Sequence, residues 1–236
     1  MGEMIEFPSN GHTCAGYLAL PQSGRGPGVV VIQEWWGLVG HVKDVCERFA
    51  GEGFVALAPD LYHGKSASLK EPDTAGKLLM EMELDGAARD MLGAARWLAA
   101  DERVAGDRVG IIGFCMGGAL ALYAASLADV FGAVVTYYPY LARTEAARPD
   151  FSRIKGAVQG HVGDQDHAYT REQIEAVEEQ IRGGGADVEF HWYPGADHAF
   201  FNDDRPEVHR PDQAQQAWDR TLAFLRKHLA QTAAPV

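Results

Sequence analysis

Apolar positions fall into short continuous blocks separated by longer stretches of helical period. Six blocks read as strands: "GVVVIQ" (Gly28 to Gln33), "FVALAPD" (Phe54 to Asp60), "RVGIIGF" (Arg108 to Phe114), "GAVVTYYP" (Gly132 to Pro139), "KGAVQGHVG" (Lys155 to Gly163) and "DVEFHWYP" (Asp187 to Pro194). Helices are expected over "HVKDVCERFAGEG", over one long segment from about Asp73 to Ala100, and over "MGGALALYAASLA". Two more are expected over "REQIEAVEEQIRGGG", which stops on glycine, and "PDQAQQAWDRTLAFLRKHLA". The stretch Leu61 to Glu71 is polar and irregular. "MIEFP" and "TCAGYLALP" alternate weakly and predict a hairpin at one edge. Strands that alternate with helices build a mainly parallel sheet with helices on both faces, an α/β architecture. A block such as "GVVVI", apolar at every position, fits a strand buried on both sides.

Length and composition narrow the class. The chain has 236 residues, 47% of them hydrophobic, which suits one core and one domain spanning 1–236. The tail "QTAAPV" (231–236) is expected to be disordered. A net charge of −12 disfavours nucleic acid and anionic membrane surfaces as partners. No apolar stretch approaches the roughly 18 residues of a membrane span, and the N-terminus lacks a signal-peptide layout. The three cysteines, Cys14, Cys46 and Cys115, are far apart and odd in number, which favours a reducing, cytoplasmic compartment. Cys14 and Cys46 read as packing residues.

The chemistry concentrates at "GFCMGG", Gly113 to Gly118. A cysteine between a strand and a helix, flanked by Gly113 and Gly117, has the layout of a nucleophile elbow, usually G-x-S-x-G, with sulfur in place of oxygen. The helix N-terminus behind it favours a thiolate and offers backbone N–H groups to an oxyanion. A thiol nucleophile needs a base and an orienting carboxylate, in the chain order nucleophile, acid, histidine. His198 in "GADHAF" is the candidate base, and Asp164 or Asp166 in "GDQDH" the candidate orienter. A metal site at His161, Asp164, Asp166 and His167 is the weaker reading of that second segment, since no ligand cluster of fixed spacing accompanies it; no metal and no cofactor are expected. Trp35, Trp36, Tyr137, Tyr138 and Phe200 fall at or just after strand ends, where core packing is the default and a pocket lining the alternative.

These motifs together resemble the dienelactone hydrolase (carboxymethylenebutenolidase) family, a cysteine-using branch of the α/β-hydrolase fold. The resemblance runs from "VVVIQEWWGL" through "ALAPDLY", "VGIIGFCMGGALAL", "VVTYYPY" and "GHVGDQDH" to "HWYPGADHAF". It implies a triad of Cys115, Asp166 and His198, and chooses Asp166 over Asp164. It implies that Glu34 holds the resting thiol, that the backbone N–H groups of Trp35 and Met116 form the oxyanion hole, and that the substrate is a small lactone or ester. The chain departs from the family at its two carboxylate-gripping arginines: Asn202 and, near the long helix, Pro72 stand at those positions. Recognition of a substrate carboxylate is therefore expected to be weak, with Trp36, Tyr137, Phe200 and Asn202 shaping the pocket, unless Arg205 folds into it. A broader small-acyl esterase or thioesterase is the enzymatic alternative, and a non-catalytic binding protein of the same fold the alternative of another class. The assembly is expected to be a monomer or small homo-oligomer.

Overall fold

The computed structural model describes residues 1–9 and 11–229; the tail expected at 231–236 lies outside them. One sheet of eight strands organises the chain: β1 (Glu3–Ser9), β2 (His12–Ala19), β3 (Gly28–Ile32), β4 (Val55–Pro59), β5 (Val109–Phe114), β6 (Phe131–Tyr137), β7 (Ala157–Gly163) and β8 (Val188–Tyr193). Their spatial order is β1-β2-β4-β3-β5-β6-β7-β8. β1 and β2 form the antiparallel edge hairpin, with Phe7 opposite Cys14. β2 also runs antiparallel to β4, and all other neighbours are parallel.

Among the described residues six α-helices lie between strands, α1 (Gly40–Gly51), α2 (Pro72–Glu81), α3 (Leu84–Ala100), α4 (Met116–Leu127), the short α5 (Ala142–Glu145) and α6 (Arg171–Gly183), and α7 (Pro211–Leu229) follows β8. The pleat explains the all-apolar β3. Val30 and Ile32 join the core beneath α3 and α4, while Val29 and Val31 join the one beneath α1 and α7. α6 is closed by a capping box in which the Thr170 hydroxyl accepts from Gln173 N and the Gln173 side chain accepts from Thr170 N.

The single helix expected from Asp73 to Ala100 is two. Met82 and Glu83 adopt extended backbone, with ψ of 118° and 117°, between α2 and α3. The reason lies in the phase of the apolar stripe. Ala75, Leu78 and Met82 are buried, but Asp85 and Arg89, where an unbroken helix would carry that face, are exposed. Burial resumes at Ala87, Ala88 and Met91, so the chain must turn to bring α3 onto the sheet.

Sheet order also creates the place for a site. The chain leaves β3 toward β4 on one side and reaches β5 on the other. Loops leaving the carboxyl ends of β3 and β5 thus diverge and open a crevice between them. Glu34 and Cys115 stand in those two loops.

Candidate active site

Cys115 joins β5 to α4 with φ 56° and ψ −119°, a conformation costly for a residue with a Cβ. Its surroundings over-determine it. Cys115 N–H donates to the Tyr137 carbonyl at 3.0 Å, and its own carbonyl accepts from Gly118 N at 3.0 Å and Tyr140 N at 2.9 Å. The glycines are steric necessities. A Cβ at Gly113 would fall on the carbonyl of Gly117, one at Gly117 on the carbonyls of Gln33 and Ile32, and one at Gly118 would lie 2.7 Å from Thr136 Oγ1. Strand and helix close to backbone contact, and the thiol stands out of the turn, half-buried, while Cys14 and Cys46 are buried.

Asp166 and His198 come together from the loops after β7 and β8. The Asp166 side chain is buried and divides its oxygens: Oδ1 accepts from Ala168 N and Oδ2 from His198 Nδ1, each at 2.7 Å. This leaves the imidazole Nε2 free to face the cavity. Asp164 has a different job. It is exposed, and its Oδ1 accepts from Gly195 N at 2.8 Å, tying the two loops together. Ala199, at φ 63°, makes the bend that aims His198, whose ring packs 5.1 Å from that of Tyr138. Burial lowers the basicity of His198, but the charge of the Cys115 sulfur and the Asp166 carboxylate outweigh it and hold the imidazole well above its ordinary pKa.

Glu34 is buried and turned to Asn202, whose Nδ2 donates to Glu34 Oε2 at 2.8 Å. No hydrogen bond joins Glu34 to Cys115 among the described residues, and Glu34 Oε1 has no partner. The Glu34 loop is pinned by Tyr62, whose hydroxyl donates to the Trp35 carbonyl at 3.1 Å, and by Gln33, whose Oε1 accepts from Leu61 N. Neither Trp35 N–H nor Met116 N–H is spent on a hydrogen bond within the described residues.

Cys115, His198, Glu34, Trp35, Trp36 and Met116 share one cavity of about 310 Å³. Three of the expected lining residues do not reach it. Tyr137 points to the opposite face of the sheet, where its hydroxyl lies 2.8 Å from Thr221 Oγ1. Phe200 packs fully buried against Tyr193 and Tyr138. Asn202 is spent on Glu34. Leu79, Tyr140, Ala168, Ala199 and Arg205 line the cavity instead. Nothing local in the sequence marks Leu79 or Tyr140; they arrive because α2 and the loop after β6 fold over the elbow. Arg205 does enter, with its Nε committed to Glu207 Oε1 at 3.0 Å. His161, weighed as a metal ligand, is fully buried between Gln159, Tyr193 and Thr221, away from any shared cluster with Asp164.

A mainly parallel, mixed sheet with an elbow residue after β5 and a histidine–carboxylate pair after β8 and β7 defines an α/β-hydrolase fold. The sequence model of the dienelactone hydrolase family matches residues 14–229, and the chain belongs to that family. It is 37% identical over 236 residues to "Protein usf" of Aquifex pyrophilus, covering 97% of this chain and 100% of the relative. It is 34% identical over 238 residues to "Putative carboxymethylenebutenolidase" of Aquifex aeolicus, with 97% and 100% coverage. Among solved structures, the "Putative Dienelactone Hydrolase" of Klebsiella pneumoniae superposes with a TM-score of 0.84 at 28% identity, covering 96% of this chain and 98% of the other. The chain is a hydrolase of the dienelactone hydrolase type. Among the described residues no helix is long and apolar enough to cross a membrane.

Proposed function

We propose that the protein hydrolyses lactones or small esters through an acyl-thioester on Cys115. The observation that carries this reading is the strained, over-determined presentation of the Cys115 thiol in the same cavity as an Asp166-oriented imidazole. The Cys115 sulfur attacks the carbonyl carbon, and the resulting oxyanion accepts from Trp35 N–H and Met116 N–H. Collapse breaks the acyl C–O bond and leaves the acyl group on sulfur. The leaving oxygen takes its proton from imidazolium Nε2, or, when a lactone opens to an enolate tethered to the acyl group, draws one from water. When the imidazolium has protonated the leaving oxygen, water attacks the thioester and gives its proton to the now neutral His198; when the enolate has taken a proton from water, the hydroxide so formed attacks instead; either way the carboxylate product departs with the thiolate restored. Asp166 holds the Nδ1–H tautomer throughout.

The cavity is lined mainly by apolar side chains, with Arg205 the one permanently charged cation among its described lining residues. Because Glu207 already holds Arg205, and Asn202 is not a carboxylate clamp, neutral lactones and esters are accepted at least comparably to acids. Cys115→Ala tests the mechanism: turnover of lactones and aryl acetates should vanish with circular dichroism unchanged, and wild-type enzyme should show a mass increment of one acyl group on the peptide bearing Cys115. Persistent turnover in Cys115→Ala would overturn the proposal.

A further inference from the structure

At the antiparallel edge of the sheet, three elements remote in sequence converge. β2 brings Cys14, the turn after β4 brings His63, and α3 brings Asp90; one donor atom from each lies within 4.8 Å of the other two. Asp90 is fully buried, and its two oxygens are treated unequally. Oδ1 accepts from Ser9 Oγ at 2.6 Å and sits 2.9 Å from His12 Nε2. Oδ2 is buried without a hydrogen-bond partner and lies 3.4 Å from His63 Nε2. A buried, unsatisfied carboxylate oxygen costs stability unless something else meets it.

The spacing indicates what would meet it. A tetrahedral zinc ion with nitrogen and oxygen ligands at about 2.0–2.2 Å sets those ligand atoms roughly 3.3–3.6 Å apart. The His63–Asp90 separation falls on that edge and is a poor hydrogen bond. Thiolate, imidazole and carboxylate together form a ligand set suited to zinc. The half-exposed His12 fixes Asp90 from outside, as the residues behind metal ligands do, and Ser9 does the same from β1. His63 is exposed at φ 50° in a turn whose two N–H groups, from Tyr62 and Gly64, are held by the Asp60 carboxylate. The site is thus open to solvent on the histidine side and closed on the Cys14 side.

We propose that Cys14, His63 and Asp90 bind one divalent transition-metal ion of the zinc class, with the fourth position taken by water. The ion would tie β2, the turn after β4 and α3 into one unit. A second Cys–His–Asp hydrolytic triad is the other chemistry these residue types suggest, but the Cys14 sulfur is fully buried, where no substrate carbonyl can approach it.

The experiment is titration of metal-free protein with Co²⁺, read by absorbance, and with Zn²⁺, read by calorimetry and thermal unfolding. All are run in Cys115→Ala as well as wild type, so that metal captured by the elbow thiol is seen separately. One Co²⁺ should bind with a thiolate-to-cobalt charge-transfer band and intense visible bands of four-coordinate geometry, and Zn²⁺ should displace it and raise the melting temperature. Cys14→Ala should abolish the charge-transfer band, and His63→Ala, an exposed substitution that leaves the core intact, should weaken affinity more than about tenfold. His12→Ala should weaken it less than His63→Ala. Absence of binding, a band that survives Cys14→Ala, a band lost in Cys115→Ala, or affinity unchanged in His63→Ala would each overturn the proposal.

Discussion

Asp166→Asn tests whether Asp166 orients His198 for catalysis or merely lies beside it. The wild-type carboxylate is fully desolvated and accepts 2.7 Å bonds from Ala168 N and His198 Nδ1. In the amide, Oδ1 can keep the Ala168 bond, which places the NH₂ against Nδ1. The neutral ring then protonates at Nε2, the wrong nitrogen for accepting a proton in the cavity. A hydrogen bond to a charged group contributes about 1.5–3 kcal/mol, or roughly 10–10² in rate if fully expressed in the transition state. The tautomer fault adds to this, and wrong-tautomer triads elsewhere lose about 10⁴. We expect kcat/KM to fall by roughly 10²–10⁴. In Asp164→Asn the Gly195 N–H bond survives on the amide oxygen, so the loss should stay below about threefold. The pH dependence carries its own sign. His198 has a raised folded-state pKa, so its contribution to stability is complete below about pH 6.5, the ordinary histidine value, and is lost as pH rises through the folded value. Asp166→Asn should flatten that slope. Steady-state kinetics on a lactone and urea unfolding from pH 6 to 9 measure both. A larger loss in Asp164→Asn, or Asp166→Asn retaining more than a tenth of wild-type kcat/KM, would refute the assignment.

Glu34→Gln should change both the rate of Cys115 alkylation by iodoacetamide and its pH profile, and Asn202→Ala should do so too by freeing the Glu34 carboxylate; profiles identical to wild type would show that Glu34 does not act on the thiol. Gly117→Ala should lower the melting temperature by roughly 3–10 °C, since its Cβ meets backbone carbonyls that cannot yield, at a cost of about 1–3 kcal/mol. Gly76→Ala, in open space on α2, should instead be neutral or stabilising, and scanning calorimetry compares the two. The ratio of kcat/KM for dienelactone over its methyl ester should stay below roughly 10² and fall further in Arg205→Ala; a larger ratio would mean that a working carboxylate clamp exists.

Chain-local rules sufficed for much of the molecule. The strand blocks, the edge hairpin and the parallel order follow from apolar period and from the need to cover both sheet faces, because burial of β3 or β5 on two sides requires apolar residues at every position. The elbow was legible at "GFCMGG" because backbone contact between β5 and α4 excludes a Cβ, and such an exclusion leaves a mark in the sequence itself. Spacing alone could not separate Asp164 from Asp166, two acids in one turn; the direction of each carboxylate depends on where the β8 loop lies against the β7 loop. The break at Met82 needed the sheet as a reference, because two amphipathic phases look like one helix until both must face the same surface. For Phe200 and Tyr137, position left core packing as the default and pocket lining as the alternative; the pleat and the bend at Ala199 send them into the core and leave room for Arg205. Positions 14, 63 and 90 share no period or motif; folding alone brings a thiol, an imidazole and a buried carboxylate to one point, since proximity between remote segments is set by strand order and helix packing.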